Sequence, residues 1–315
     1  MAAEIPVYLF TGFLDGGKTT FIQSTLEDER FNKGERTLLL LCEEGEVEYD
    51  PSRFSGKNVS IEPIEDKSAL TADALTALQK KHRAQRVMIE YNGMWLLSDL
   101  FSAMPKNWTI YQEMMFADAS TFAAYNANMR SLVVDKLGTP ELVVFTRMPR
   151  EQDKLPLHKI VRGVSRRADI AYDHGGDDVE YDDIEDPLPF DKNAAVIAVE
   201  DKDYALWYRD LSEDLSGYDG KTVRFTGQVV RERSIPKGCF LIGRPLMTCC
   251  AEDIRFAGLV CVWPQAETLK SRDWVTVEAT IAVKKHECYG RVGPVLTAVS
   301  VAPAEKPENE VATFY

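Results

Sequence analysis

No run of about 18–20 apolar residues occurs anywhere in the chain, so no membrane-spanning helix and no membrane insertion are expected. Residues 1–6 lack the basic cluster of a secretory signal, and the apolar stretch that follows ends in a glycine loop; the expected location is the cytoplasm. Basic residues are outnumbered: 37 Lys and Arg face 50 Asp and Glu, a net charge of −13. A chain of that sign repels phosphate backbones and anionic lipid, which argues against nucleic acid and membrane surfaces as partners. Histidine is scarce, with 4 residues, and no cysteine lies between Cys42 and Cys239. In a reducing compartment the 6 cysteines read as thiols or metal ligands before disulfides. No internal repeat is present.

What remains is ordinary globular material. Hydrophobic residues make up 45% and charged residues 28% of 315 positions, enough chain for two domains at roughly 100–200 residues each. In the first 150 residues, short apolar runs at 5–10, 37–42, 59–64, 87–90, 109–117 and 142–145 read as strands. Helical spacing at 18–29, 68–81 and 121–137 separates several of them. Strands alternating with helices predict a parallel α/β sheet with right-handed crossovers. The acidic stretch 169–191 reads as a solvated connection, with cation binding as a lesser alternative. From residue 221 the pattern changes to five short alternating strands with Asp-Gly, Lys-Gly and Gly-Pro turn signals. The expected fold is therefore an α/β P-loop NTPase domain with a mainly parallel sheet, followed by a small all-β, OB-like barrel. The expected boundaries are 1–195 for the first domain, 196–216 for a linker or helix, and 217–315 for the barrel.

One motif carries chemistry. Gly12-Phe13-Leu14-Asp15-Gly16-Gly17-Lys18-Thr19 fits G-x-x-x-x-G-K-[ST] without mismatch, after an apolar strand and before a helix. Gly12, Gly16 and Gly17 let backbone approach phosphate oxygens, and the helix N-terminus favours negative charge. Lys18 is expected to reach β- and γ-phosphates, and the Thr19 hydroxyl to ligate Mg²⁺. Asp15 and Thr20 complete the candidate nucleotide contacts.

The string Thr11-Gly12-Phe13-Leu14-Asp15-Gly16-Gly17-Lys18-Thr19-Thr20 resembles the opening of the CobW-like P-loop GTPases, members of the SIMIBI class related to hydrogenase and urease metallochaperones. The resemblance covers about residues 5–150 and continues in Glu90-Tyr91-Asn92-Gly93, which matches the family's E-x-x-G. It implies that Glu90 helps hold Mg²⁺ and that the Gly93 amide meets the γ-phosphate. Residues 42–50 resemble the family's switch segment, with Glu43, Gly45, Glu46, Val47 and Asp50 on matching positions. The resemblance makes Glu43 and Glu46 candidates for metal contact, water positioning or switching, Glu46 being the candidate catalytic group beside Lys18 and Glu90. Asp118 matches an Asp after a central strand.

Two departures stand out. The family's Cys-x-Cys-Cys metal motif is absent, and the guanine-reading N-K-x-D is replaced by Thr146-Arg147-Met148-Pro149. Thr146 and Arg147 stay as candidate base-side contacts, Asp153 is a substitute base reader, and GTP is preferred to ATP by kinship alone.

The string Gly243-Arg244-Pro245-Leu246-Met247-Thr248-Cys249-Cys250-Ala251-Glu252-Asp253 resembles the core of YcgQ-like C-terminal domains, over about residues 216–315. Such domains occur beside predicted permeases and are linked to zinc regulation. Cys249 and Cys250 with His286, Cys288 or Asp253 could bind Zn²⁺, or the cysteines could be small buried residues. Arg244 could hold an anion or pin the turn before Pro245. His82 and His158, set among Lys and Arg, read as surface residues.

Together the resemblances imply GTP binding and hydrolysis coupled to metal handling, with a metalloprotein client. The alternative is a non-hydrolysing nucleotide sensor or adaptor for a membrane permease. A small-molecule kinase ranks last, since no arginine-rich lid is evident.

Overall fold

The computed structural model describes residues 4–176, 178–248 and 253–314. They fall into two compact units, one ending at Ile184 and one beginning at Glu185.

The first unit is built on an eight-stranded sheet: β1 (Ile5–Thr11), β2 (Thr37–Leu41), β3 (Val59–Pro63), β4 (Arg86–Glu90), β5 (Trp108–Asp118), β6 (Leu142–Thr146), β7 (Asp169–Asp173) and β8 (Val179–Tyr181). Their order is β3-β2-β4-β1-β5-β6-β7-β8. All pairings are parallel except β7 with β8. Strand period decides which helix covers which face. Val7 and Leu9 of β1 join Leu38, Leu40, Val87 and Ile89 in one core. That face is covered by α2 (Ala72–His82) through Leu75 and α3 (Leu97–Ala103) through Leu97 and Leu100. Phe10 points the other way, with Leu39, Met88 and Phe116, under Ile22 and Leu26 of α1 (Lys18–Glu27).

Several expectations shift at their edges for local reasons. The helix expected over 68–81 starts at Ala72, because the Thr71 side chain accepts the Ala74 N–H and caps it there. The helix expected over 121–137 is two helices, α4 (Phe122–Asn128) and α5 (Arg130–Leu137), broken at Met129 with φ −136° and ψ 45°. The stretch 169–191 is not merely a solvated connection. Ile170, Ala171 and Tyr172 of β7 are buried between their charged neighbours. The helix α6 (Leu155–Arg162), which no expected element covers, packs Leu157 and Val161 inward. It also buries His158, against expectation. His158 Nδ1 lies 2.8 Å from Asp182 Oδ2, and the Tyr172 hydroxyl donates to Asp182 Oδ1 at 2.6 Å.

Glu113 on β5 is a buried acid of this unit. It is 4% exposed and accepts a bond from the Thr139 hydroxyl at 2.8 Å. Burial, with Glu141 and Asp135 nearby, pushes its pKa up to about 7. The folded-state value lies above the unfolded one, so the native chain keeps a proton that the unfolded chain has lost. Stability contributed by this group falls as pH rises toward 7, and the full cost is present above it. Each pKa unit corresponds to about 1.4 kcal/mol, so Glu113→Gln should stabilise by about 2–3 kcal/mol near pH 8 and by almost nothing near pH 4. Amide exchange within β5 at both pH values measures this. An equal gain at both would assign the effect to packing.

The second unit holds β9 (Ile197–Ala198), α7 (Tyr204–Glu213), α8 (Leu215–Tyr218) and five longer strands: β10 (Thr222–Val230), β11 (Cys239–Leu246), β12 (Arg255–Val262), β13 (Trp274–His286) and β14 (Arg291–Pro303). Pairings run β11-β12-β14-β13-β10, and β10 also pairs with β11, so these five strands form a closed circuit. The sheet is mixed: β12 with β14 and β9 with β10 are parallel, the others antiparallel. Residues 196–216 hold β9 and α7. Ile197, Tyr204, Trp207 and Leu211 belong to the core of this unit, beside Val223, Phe225 and Val277. Tyr204 also donates to the Ala257 carbonyl at 2.7 Å.

Candidate nucleotide-phosphate site

β1 lies between β4 and β5, parallel to both, so the carboxyl ends of all three strands reach the same sheet edge. That edge carries the glycine loop after β1, Glu90 at the end of β4 and Asp118 at the end of β5. The loop turns back immediately: Gly12 has φ 121°, and a Cβ there would meet the Phe116 carbonyl oxygen at 1.9 Å. Phe13 anchors it by stacking on Tyr125, with ring centroids 4.2 Å apart. Gly17, with φ 96°, then opens α1.

Lys18 is 3% exposed and its ammonium is saturated by three acceptors. It donates to the Gly12 carbonyl at 2.9 Å, the Phe13 carbonyl at 2.8 Å and Glu43 Oε2 at 2.7 Å. The other Glu43 oxygen accepts the Gly93 N–H at 3.2 Å. The Thr19 hydroxyl donates to Glu90 Oε1 at 2.7 Å, and the Tyr49 hydroxyl donates to Glu90 Oε2. Burial raises the pKa of Glu90, while the bonds from Tyr49 and Thr19 and the Lys18 charge oppose the rise. Lys18, Thr19, Glu43 and Glu90 line a cavity of about 280 Å³ with Asp15, Gly16, Gly17, Thr20, Gly45, Glu46, Val47 and Arg147.

Sequence-expected residues thus converge, with different neighbours in some cases. Glu43 meets Lys18 and Gly93. Among the described residues no hydrogen bond or ion pair orients Glu46, which is exposed on the cavity rim. The Thr146 hydroxyl donates to the Gly16 carbonyl at 2.9 Å and so braces the loop. Arg147, at φ 53°, donates through Nε to Asp118 Oδ2 at 2.6 Å and through Nη2 to the Asp15 carbonyl. Burial alone would raise the Asp118 pKa, but bonds from Ser120 and Arg147 hold it below the ordinary carboxylate value. Asp153 accepts the Leu155 N–H at 3.0 Å, at the start of α6. Two contributors were not marked as site residues by the sequence pattern: Tyr49, and Asn92, whose side chain donates to the Cys42 carbonyl at 3.0 Å. Oxygen donors suited to Mg²⁺ are present at Thr19 and Glu90, 2.7 Å apart.

The zinc candidates stand differently. Cys249 and Cys250 lie outside the described residues. His286 ends β13 and its Nδ1 accepts the Cys288 N–H at 3.2 Å, with Cys288 exposed. Among the described residues, no group of three or more His, Cys, Asp or Glu could hold a metal ion. Cys239 and Cys261 are buried. A larger cavity, about 970 Å³, lies in the second unit beside Arg244 and Asp203. Arg244 there is engaged at both terminal nitrogens: Nη1 donates to the Asp201 carbonyl at 2.6 Å and lies 3.5 Å from Asp201 Oδ1, and Nη2 donates to the Asn309 carbonyl, while its buried Nε has no hydrogen-bond partner among the described residues. It ties the segment near residue 309 to β11, so the smaller cavity, with a lysine, a hydroxyl and carboxylates at a helix start, is the better candidate for chemistry.

Among the described residues no helix is long and apolar enough to cross a membrane. A search of curated proteins finds no match. Among solved structures, the chain is similar to the Zn(II)-bound YjiA GTPase from E. coli, at 19% identity over 76% of this chain and 86% of that one, with a TM-score of 0.42. It is also similar to the hydrogenase maturation factor HypB from Archaeoglobus fulgidus, at 15% identity over 54% of this chain and 80% of that one, with a TM-score of 0.38. The family model of the DUF1980 C-terminal domain matches residues 177–312, so the later part of the chain is similar to that family.

Proposed function

We propose that the chain binds a nucleoside triphosphate at residues 12–20 and hydrolyses it in the cytoplasm, with GTP preferred through the CobW-like resemblance. The observation that carries this reading is the Lys18 ammonium beside the Gly12 and Phe13 carbonyls, with Thr19 and Glu90 paired next to it. Lys18 would neutralise charge on β- and γ-phosphates, and the loop amides would position them. Thr19 and Glu90 would hold Mg²⁺, which would supply positive charge beside the phosphates. Glu46 is the candidate for orienting the attacking water. We read the five-strand circuit of the second unit as an OB-like barrel whose Cys249, Cys250, His286 and Cys288 handle Zn²⁺ for a metalloprotein client.

A second reading is a non-hydrolysing sensor or adaptor for a membrane permease. It is favoured by Glu46, which no hydrogen bond or ion pair orients among the described residues, and by Pro149, which stands where the resemblance would put the guanine-reading aspartate.

Phosphate release from GTP and ATP with Mg²⁺, with and without Zn²⁺, separates the two. The hydrolytic reading expects turnover of GTP above ATP, raised by Zn²⁺. Equal turnover of both nucleotides would show that base reading is lost, and no release in any condition would leave the sensor.

A further inference from the structure

We propose that the Glu43 carboxylate sits where a terminal phosphate would be held, so that the site tells triphosphates from diphosphates by whether Glu43 is expelled. The inference rests on the phosphate-site reading above. A carboxylate is a compact, planar anion with two acceptor oxygens, and here each oxygen is engaged. One takes the third N–H of Lys18 at 2.7 Å, and the other takes the Gly93 amide at 3.2 Å. The pair is shielded, with side-chain exposures of 3% for Lys18 and 10% for Glu43. A charge-assisted bond in such surroundings is among the stronger ones, so a competing anion must replace it in kind.

Glu43 opens a loop that is fastened at its far end too. The Tyr49 hydroxyl donates to Glu90, and the Asp50 N–H donates to Gln23 Oε1 at 3.1 Å. Between these anchors, Glu44, Glu46 and Glu48 are exposed. A γ-phosphate that takes Lys18 and the Gly93 amide releases the first anchor and leaves the second. A diphosphate brings no group to that position, and Glu43 stays. The loop therefore reports phosphate number, in the manner of a segment ordered or freed by one phosphate.

The test is calorimetric titration of the full chain in Mg²⁺ buffer, using GDP and the β,γ-imido analogue of GTP, and the adenine pair in parallel. Glu43→Gln should raise triphosphate affinity about tenfold relative to diphosphate. Glu43→Asp, which keeps the charge but shortens the reach, should shift the ratio in the same direction. Glu44→Gln removes the same charge from an exposed position and should leave the ratio unchanged. An unaltered ratio in both Glu43 variants, or an equal rise in Glu44→Gln, overturns the inference while the phosphate site stands. Nucleotide binding absent from the wild type, or unaffected by Lys18→Ala, overturns the phosphate-site reading and this inference with it.

Discussion

Lys18→Ala should reduce nucleotide turnover by a factor of about 10²–10³ or more, because it removes the one ammonium aimed at the developing phosphate charge. The magnitude follows from placement. The group is buried, held by the Gly12 and Phe13 carbonyls, and directed by them toward Glu43. A preorganised charge in a low-dielectric pocket is worth more than the same charge on a flexible surface chain. Lys18→Arg should fail nearly as badly. Its planar fork cannot place one donor on each of the two loop carbonyls and a third on phosphate as an ammonium does. Loss of Lys18 also leaves Glu43 without its ion-pair partner, which should cost about 1–3 kcal/mol of stability. Turnover should therefore be read at a temperature where circular dichroism shows both variants folded. Retention of wild-type turnover in either variant would contradict the assignment.

Gly12→Ala should be worse for the fold than for chemistry alone. At φ 121° an L-residue is strained, and the added methyl would lie 1.9 Å from the Phe116 carbonyl oxygen, a backbone atom that cannot rotate away. Either the loop lifts off β5 or the strand moves, and the expected cost exceeds about 3 kcal/mol. Gly34 provides the contrast. It also has positive φ, 97°, but a methyl there meets nothing within 4 Å. Gly34→Ala should cost only about 1 kcal/mol. Thermal unfolding of the two variants side by side separates close approach from backbone strain. Equal losses would mean that the Phe116 contact is unimportant.

How much of this was legible beforehand depended on sequence distance. The glycine loop is a local pattern, and eight consecutive residues specify both the turn and the helix start. Glu90 and Gly93 were legible through the resemblance to the E-x-x-G motif, which here ends an apolar strand. The partners that finish the site were not, since they are brought in across the fold. Tyr49 reaches Glu90 over 41 positions, and Arg147 reaches Asp118 over 29. Arg147, a base-side contact by sequence position, holds the loop and Asp118. His158 illustrates the opposite hazard. Its basic neighbours suggest surface, yet helical periodicity in α6 turns it inward to Asp182. The buried part of β7 was hidden because only three apolar residues separate its charges. In the second unit, turn signals located the strands, while the pairing of β10 with both β11 and β13 is a long-range property that no local pattern contains.

The most direct measurement is a calorimetric titration of the wild-type chain and of Lys18→Ala with GTP and with ATP in Mg²⁺ buffer. The phosphate-site account predicts saturable binding of at least one triphosphate to the wild type and its loss in the variant. Binding that is absent from both, or equal in both, would contradict it.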